Sequence, residues 1–64
     1  MSEYTREQVL RLIEENKGPE GLDLSGRDLV EIDLSGVDLR GAILARADLS
    51  EADLRRVKLE GANL

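Results

Sequence analysis

Aspartates are the side chains of this sequence best suited to chemistry, and they recur at multiples of five residues: Asp23, Asp28, Asp33, Asp38, Asp48 and Asp53. Carboxylates that converge bind a hard cation or share a proton for acid–base catalysis. The chain has no histidine and no cysteine, so the commonest neutral-pH base and the thiolate and imidazole metal ligands are missing. The serines at 25, 35 and 50 therefore have no histidine to activate them as nucleophiles. Whether the carboxylates converge depends on the backbone that carries them.

The composition narrows the function classes further. A chain of 64 residues forms one small domain, whose thin core usually needs a staple or a partner. The single aromatic residue, Tyr4, and the net charge of -5 argue against direct nucleic-acid binding, because little stacks on bases and phosphate is repelled. No apolar run is long enough to cross a membrane, and the amino terminus does not resemble a signal peptide. We expect a cytoplasmic protein.

Residues 1–19 are expected to form an amphipathic capping helix and a turn. Thr5 and Gln8 have the spacing of a capping box, which starts a helix at Arg6. One face of this helix is apolar and consists of Val9, Leu10, Leu12 and Ile13. Because such a short helix is marginal alone, that face must dock on the residues that follow.

The end of the helix is predicted from three residues. Asn16 or Gly18 is expected to take the left-handed conformation that closes a helix, and Pro19 prevents its continuation. The helix is therefore about three turns long.

The rest of the chain has a leucine at every fifth position, from Leu24 to Leu64. On an α-helix, a step of five turns successive leucines by roughly 140°, so no face would be apolar. On a straight strand, an odd step places them on alternate sides. A second small or apolar residue, such as Ala47 or Ala52, lies two positions before nearly every leucine, and this spacing puts the pair on one side of extended backbone. If the chain bends once per unit, all pairs point to one axis, as in a solenoid.

The units ADLSE, ADLRR, GANL, VDLRG and IDLSG resemble the pentapeptide-repeat family, whose repeat is summarised as A(D/N)LXX. The resemblance implies a β-solenoid, specifically a right-handed quadrilateral β-helix with four repeats per coil. Residues 20–64 would form about two coils, capped by the N-terminal α-helix. Residues twenty apart would then stack, with Leu29 over Leu49 as one example.

Stacking assigns roles to several outward residues. The aspartates of one coil would point away from four different faces and could not converge, so we expect no catalytic, cofactor or metal site. Asp38 is expected beside Lys58, and Arg40 beside Glu60, as opposite-charge ladders. Arg27 interrupts the inward pattern; its stem is expected to pack at the cap while its guanidinium reaches a carboxylate or solvent.

The function expected from this reading is a non-enzymatic structural or protein-interaction scaffold. The chain stops at Leu64 inside a repeat, and an uncapped coil exposes backbone groups and an apolar layer. Either a longer solenoid continues there or another copy covers it, so a homodimer through the C-terminal coil is expected, while any other protein partner is unknown. The expected interface consists of Leu49, Leu54, Val57, Leu59, Ala62 and Leu64.

An alternative function comes from the resemblance alone. Some family members mimic duplex DNA in shape and charge and inhibit type II topoisomerases. Residues 22–64 carry nine acids and six bases, a net charge of 6 - 9 = -3, on only two coils. We regard this as short and mixed in charge for a DNA mimic.

Overall fold

A computed structural model describes residues 2–64, so Met1, the first residue of the predicted capping segment, lies outside the described residues. The one α-helix within residues 2–64 is α1, Arg6–Glu15. It begins where predicted, because Thr5 Oγ1 accepts a hydrogen bond from the Gln8 N–H (3.2 Å) and the Thr5 N–H donates to Gln8 Oε1 (2.8 Å). The predicted capping box is confirmed.

The end of α1 differs in part from the prediction. Of the two residues predicted as alternatives, Asn16 stays right-handed (φ -82°) and Gly18 is the one with a positive φ. Lys17 takes the left-handed conformation (φ 62°), and Gly18 also has a positive φ (126°). The Gly18 N–H donates to Ile13 O (2.9 Å) and the Lys17 N–H to Glu14 O (3.0 Å), which is the hydrogen-bond pattern of a Schellman motif. The two backbone bonds hold a lysine where glycine is commoner.

Beyond α1 the chain returns over itself every twenty residues. Parallel bridges join Asp23 to Ile43, Asp28 to Asp48, Asp33 to Asp53, Asp38 to Lys58 and Ile43 to Asn63. Each bridge has two backbone hydrogen bonds; at the second, the Leu29 N–H donates to Asp48 O (2.8 Å) and the Asp48 N–H to Arg27 O (2.9 Å). Residues twenty apart therefore stack, as the resemblance implies.

The β-solenoid prediction is met only in part. All of these bridges are isolated, and residues 2–64 contain no continuous strand or sheet. The reason is local: a turn follows every three extended residues, so only one residue per repeat forms a bridge. At one such turn the Ile32 N–H donates to Leu29 O (3.2 Å).

Each turn has a residue with positive φ at its second corner position. These are Gly21, Gly26, Glu31, Gly36, Gly41, Arg46, Glu51, Arg56 and Gly61. Four of them are charged residues with φ between 59° and 64°, a conformation that costs a non-glycine residue roughly 1–2 kcal/mol. The turn is thus imposed by the repeat, and glycine only makes it easier.

The core lies between α1 and the second coil. Leu29, Leu34 and Leu39 are fully buried, and Leu24 is nearly so. Val9 is the one fully buried residue of α1. Residues of α1 and the later repeats that pack partly buried against this core are Leu12, Ile13, Ala47, Leu49, Ala52, Val57 and Leu59.

Leu10 corrects the predicted packing face of α1. We expected it to meet the first coil beside Val9, but 40% of it is exposed. Its position follows from the helical wheel: Val9, Leu12 and Ile13 share the narrow arc that reaches the coil, and Leu10 lies at its margin. It borders a shallow depression formed with Glu7, Arg11 and Glu14.

Candidate functional site

The candidate site is the open rim, defined as residues 45–64 of the last coil. Its leucines are less buried than those of the first coil, because nothing among the described residues covers them on the C-terminal side. Leu54 is 36% exposed and Leu64 71%, whereas Leu49 and Leu59 are half-buried. Val57 and Ala62 are also half-buried. The six predicted interface residues therefore lie on one layer at one end of the molecule.

The open rim also presents unpaired backbone groups. In the first coil, the N–H of each inward leucine donates to the coil above, as when the Leu34 N–H donates to Asp53 O (2.9 Å). The corresponding N–H groups of Leu49, Leu54 and Leu59 have no acceptor among residues 2–64. The carbonyl oxygens of Ala52 and Val57 likewise accept no hydrogen bond there. Such an edge is a template for pairing.

The opposite edge of the coil shows how this chain covers such groups. The Glu3 N–H donates to Asp28 O (2.7 Å), and the Asp28 N–H donates to Glu3 Oε1 (3.3 Å). Arg6 Nη1 donates to Ser35 O (2.8 Å) and to Asp33 O (3.2 Å). The N-terminal segment thus satisfies edge carbonyls and an edge N–H, which the open rim lacks.

Arg6 is a contact that the sequence reasoning missed. A cation in the first turn of a helix interacts unfavourably with the helix dipole. The position of Arg6 could therefore have indicated that its side chain makes a stabilising contact outside the helix. Arg27 meets its expectation: its guanidinium Nη1 lies 3.6 Å from Glu3 Oε2 and its Cζ 6.0 Å from the centroid of the Tyr4 ring.

The aspartates act on their own turns. The carboxylate of each accepts a hydrogen bond from the backbone N–H two residues later, as when the Ser25 N–H donates to Asp23 Oδ1 (3.0 Å). The same contact recurs at Asp28, Asp33, Asp38, Asp48 and Asp53. These are Asx turns, which fix the corner that follows each leucine.

The turn contacts also set the protonation of these carboxylates. The hydroxyl and then the backbone N–H of Ser25 lower the pKa of Asp23, and Ser35 and Ser50 do the same for Asp33 and Asp48. Each serine hydroxyl donates to its aspartate, for example Ser50 Oγ to Asp48 Oδ1 at 2.5 Å. Within residues 2–64 no group of carboxylates is placed to hold a metal ion.

Two arginines pair with aspartates inside their own repeats. Arg40 binds Asp38 with both Nε (2.9 Å) and Nη2 (2.7 Å), and Arg55 binds Asp53 in the same way (3.0 and 2.8 Å). The arginine hydrogen bonds lower the pKa of Asp38 and of Asp53 to about 2. Lys58 lies on Asp38 as predicted, but the direct ion pair of Asp38 is with Arg40, and Lys58 acts on it only through longer-range attraction.

Comparison with known proteins gives one family. A family model described as pentapeptide repeats matches residues 20–56 and 32–64, with eight copies of the repeat. No curated protein and no solved structure matches significantly. In the part of the chain that the structure describes, no helix has the length and apolarity to cross a membrane.

Proposed function

Because the chain belongs to the pentapeptide-repeat family, we propose that it is a non-enzymatic scaffold, a capped segment of a right-handed quadrilateral β-helix that associates with a second copy through the open rim. The family supports a repeat scaffold with a protein-interaction role. The stacking of residues twenty apart supports the coil. The Asx turns made by the outward aspartates support its regular corners.

The observation that carries the proposal is the difference in burial between the two coils. First-coil leucines are sealed between α1 and the second coil, whereas the open rim leaves Leu54 and Leu64 in water. Burying apolar surface contributes roughly 25 cal/mol per Å². Unpaired N–H and carbonyl groups surround this apolar layer, so a partner that adds a further layer satisfies both kinds of group at once.

The test is the association state of the 64-residue chain and of two leucine variants. We expect sedimentation velocity over a range of concentrations to show a reversible dimer, and Leu54→Glu to shift it to monomer because a carboxylate cannot be buried in the apolar layer. Leu10→Glu is the matched control, since Leu10 has similar exposure on the opposite end. Circular dichroism checks that both variants stay folded. A wild-type chain that is monomeric at all concentrations contradicts the proposal.

The alternative function, a DNA mimic that inhibits a type II topoisomerase, has less support. Mimicry requires an array of free carboxylates on the faces of the coil. On two faces the carboxylates of Asp38 and Asp53 are neutralised by bidentate arginines. We therefore prefer the scaffold.

A further inference from the structure

The open rim is a ramp, and its shape restricts how a second copy can cover it. Asn63 lies on Ile43, so residues 62–64 stand one layer, about 4.8 Å, above residues 42–44. The rim climbs from Arg46, round three further corners, to Leu64. A ramp of one turn has its own two-fold axis through its midpoint, which falls at the corner formed by Arg55 and Arg56.

We propose that two copies of this chain pair rim to rim about a two-fold axis through the Arg55–Arg56 corner. Residues 52–54 then face residues 57–59 of the second copy, and residues 47–49 face residues 62–64 of the second copy. This inference rests on the proposed self-association and specifies its register. In this register every segment of the rim has a partner in the next layer, with no gap and no overlap.

The free backbone groups are complementary in this register. On the first segment, Ala52 O and the Leu54 N–H point along the coil axis away from α1, since the groups of the coil beneath point the same way into the bridges. On the second segment Val57 O and the Leu59 N–H do so. Turned antiparallel, each N–H meets a carbonyl of the other copy, which is the pattern around a non-hydrogen-bonded pair in an antiparallel ladder.

The side chains at the centre of these segments have opposite charges. Asp53, whose carboxylate Arg55 also binds, stands directly opposite Lys58 of the second copy, and Lys58, which lies on Asp38 of its own chain, stands opposite Asp53 of the second copy. Facing residues of a non-hydrogen-bonded pair have the closest side chains of a ladder, and opposite charges there favour pairing. Asp48 stands opposite Asn63 of the second copy, which can donate to it. Beneath these residues the exposed leucines close into one apolar layer.

A second two-fold axis, through the middle of residues 52–54, is disfavoured. It sets Asp53 against Asp53 of the second copy, and it forces residues 62–64 of both copies into the same layer. The favoured register has its own repulsive contacts, because Glu51 faces Glu60 of the second copy and the arginines of the axis corner meet their counterparts. Those side chains are at exposed corners, where solvent and salt screen them.

Disulfide trapping tests the register, and the absence of native cysteine makes it unambiguous. In the variant Asp48→Cys with Asn63→Cys, mild oxidation is expected to give a covalent dimer, because facing residues of an antiparallel pair are close enough for a disulfide. Within one chain the two positions lie in bridges of different faces. Asp53→Cys alone is the control for the second axis: efficient cross-linking of this variant, with none of the double variant, overturns the proposal.

Charge exchange provides the second measurement. Asp53→Lys and Lys58→Asp are each expected to weaken dimerisation about tenfold, equivalent to about 1.4 kcal/mol, and the combined variant to return within about threefold of wild type. Asp23→Lys is the matched control, because it loses the same Asx turn on the first coil. If the wild type dimerises and neither single exchange weakens dimerisation, the register alone is overturned. If the wild type is monomeric, the self-association on which the register rests is overturned.

Discussion

Glu31, Arg46, Glu51 and Arg56 show at the residue scale how strongly the repeat imposes its corner. All have positive φ without being glycine, and each of their corners is closed by a backbone hydrogen bond across the turn, as when the Ala52 N–H donates to Leu49 O (3.0 Å). A glycine at the same corner position removes the strain but does not create the turn. The cost of adding a side chain at a glycine corner therefore depends on its surroundings.

Two corner glycines give a direct comparison. In Gly36→Ala the new methyl group meets nothing within 4 Å, so only the left-handed backbone (φ 71°) is strained and we expect a loss of about 1 kcal/mol. In Gly41→Ala the new Cβ would lie 3.2 Å from Glu20 Cα and 3.1 Å from its Cγ, and the loss should be roughly 2 kcal/mol. Urea unfolding measures both; equal losses would contradict this account.

The hydrogen-bonded ion pairs of Asp38 and Asp53 make the stability of the folded state depend on pH in the acidic range. The pKa of Asp38 and of Asp53 falls from 3.8 to about 2 through the hydrogen bonds of Arg40 and Arg55. A pKa that is lower in the folded state gives stability that is complete above about pH 4 and is lost as the pH falls toward 2. The melting temperature should drop in this range.

Asparagine at both positions isolates this effect. The double variant Asp38→Asn and Asp53→Asn keeps an oxygen for each turn but cannot titrate, so its melting temperature should be lower than that of wild type at pH 6 and should change less between pH 4 and pH 2. Parallel melting curves for the two proteins would show that other groups govern the acid response.

At the element scale, α1 closes the first coil through few contacts. Val9 supplies its one fully buried side chain, and Arg6 and Glu3 satisfy the edge of the coil. The apolar face of α1 is thus narrower than its sequence suggests. Leu10 contributes little to the docking.

Alanine substitutions at Val9 and Leu10 distinguish how much each residue contributes to the docking of α1. Val9→Ala should lower the free energy of unfolding by about 2 kcal/mol, since it opens a cavity between α1 and the first coil. Leu10→Ala, at a position 40% exposed, should cost less than about 0.5 kcal/mol. Urea denaturation at concentrations below dimerisation makes the comparison. A larger loss at Leu10 would mean that α1 docks with a different face.

At the scale of the whole molecule, the sequence predicts what repeats and misses what occurs once. Leucine spacing predicted inward pairs and regular corners, because every unit repeats the same geometric constraint, and the resemblance carried by the ADL units implied the stacking of Leu29 over Leu49. The position of Leu10 depends on the rotation of α1 over the coil, and the left-handed Lys17 depends on two backbone bonds from Ile13 and Glu14. Neither feature recurs along the chain, so no repeated sequence pattern predicts it.

For the candidate site too, the sequence predicts the part that depends on the repeat and misses the part that does not. The six apolar residues of the open rim follow from the register of the repeat. The proposed pairing of Asp53 with Lys58 of a second copy does not, since it follows only from the ramp shape of the rim and from the positions of its free N–H and carbonyl groups. A register slip of one repeat would change the charges that face one another while leaving the apolar layer intact.

The positive-φ corners make this chain tolerant of inverted chirality at chosen points. A D-amino acid prefers the backbone conformation that strains its L counterpart. Arg46, Glu51 and Arg56 are therefore sites where a mirror-image residue would fit the native path better than the encoded one. Such substitutions would also block proteolytic cleavage beside them, so a synthetic version of this coil has built-in positions for protection from proteases.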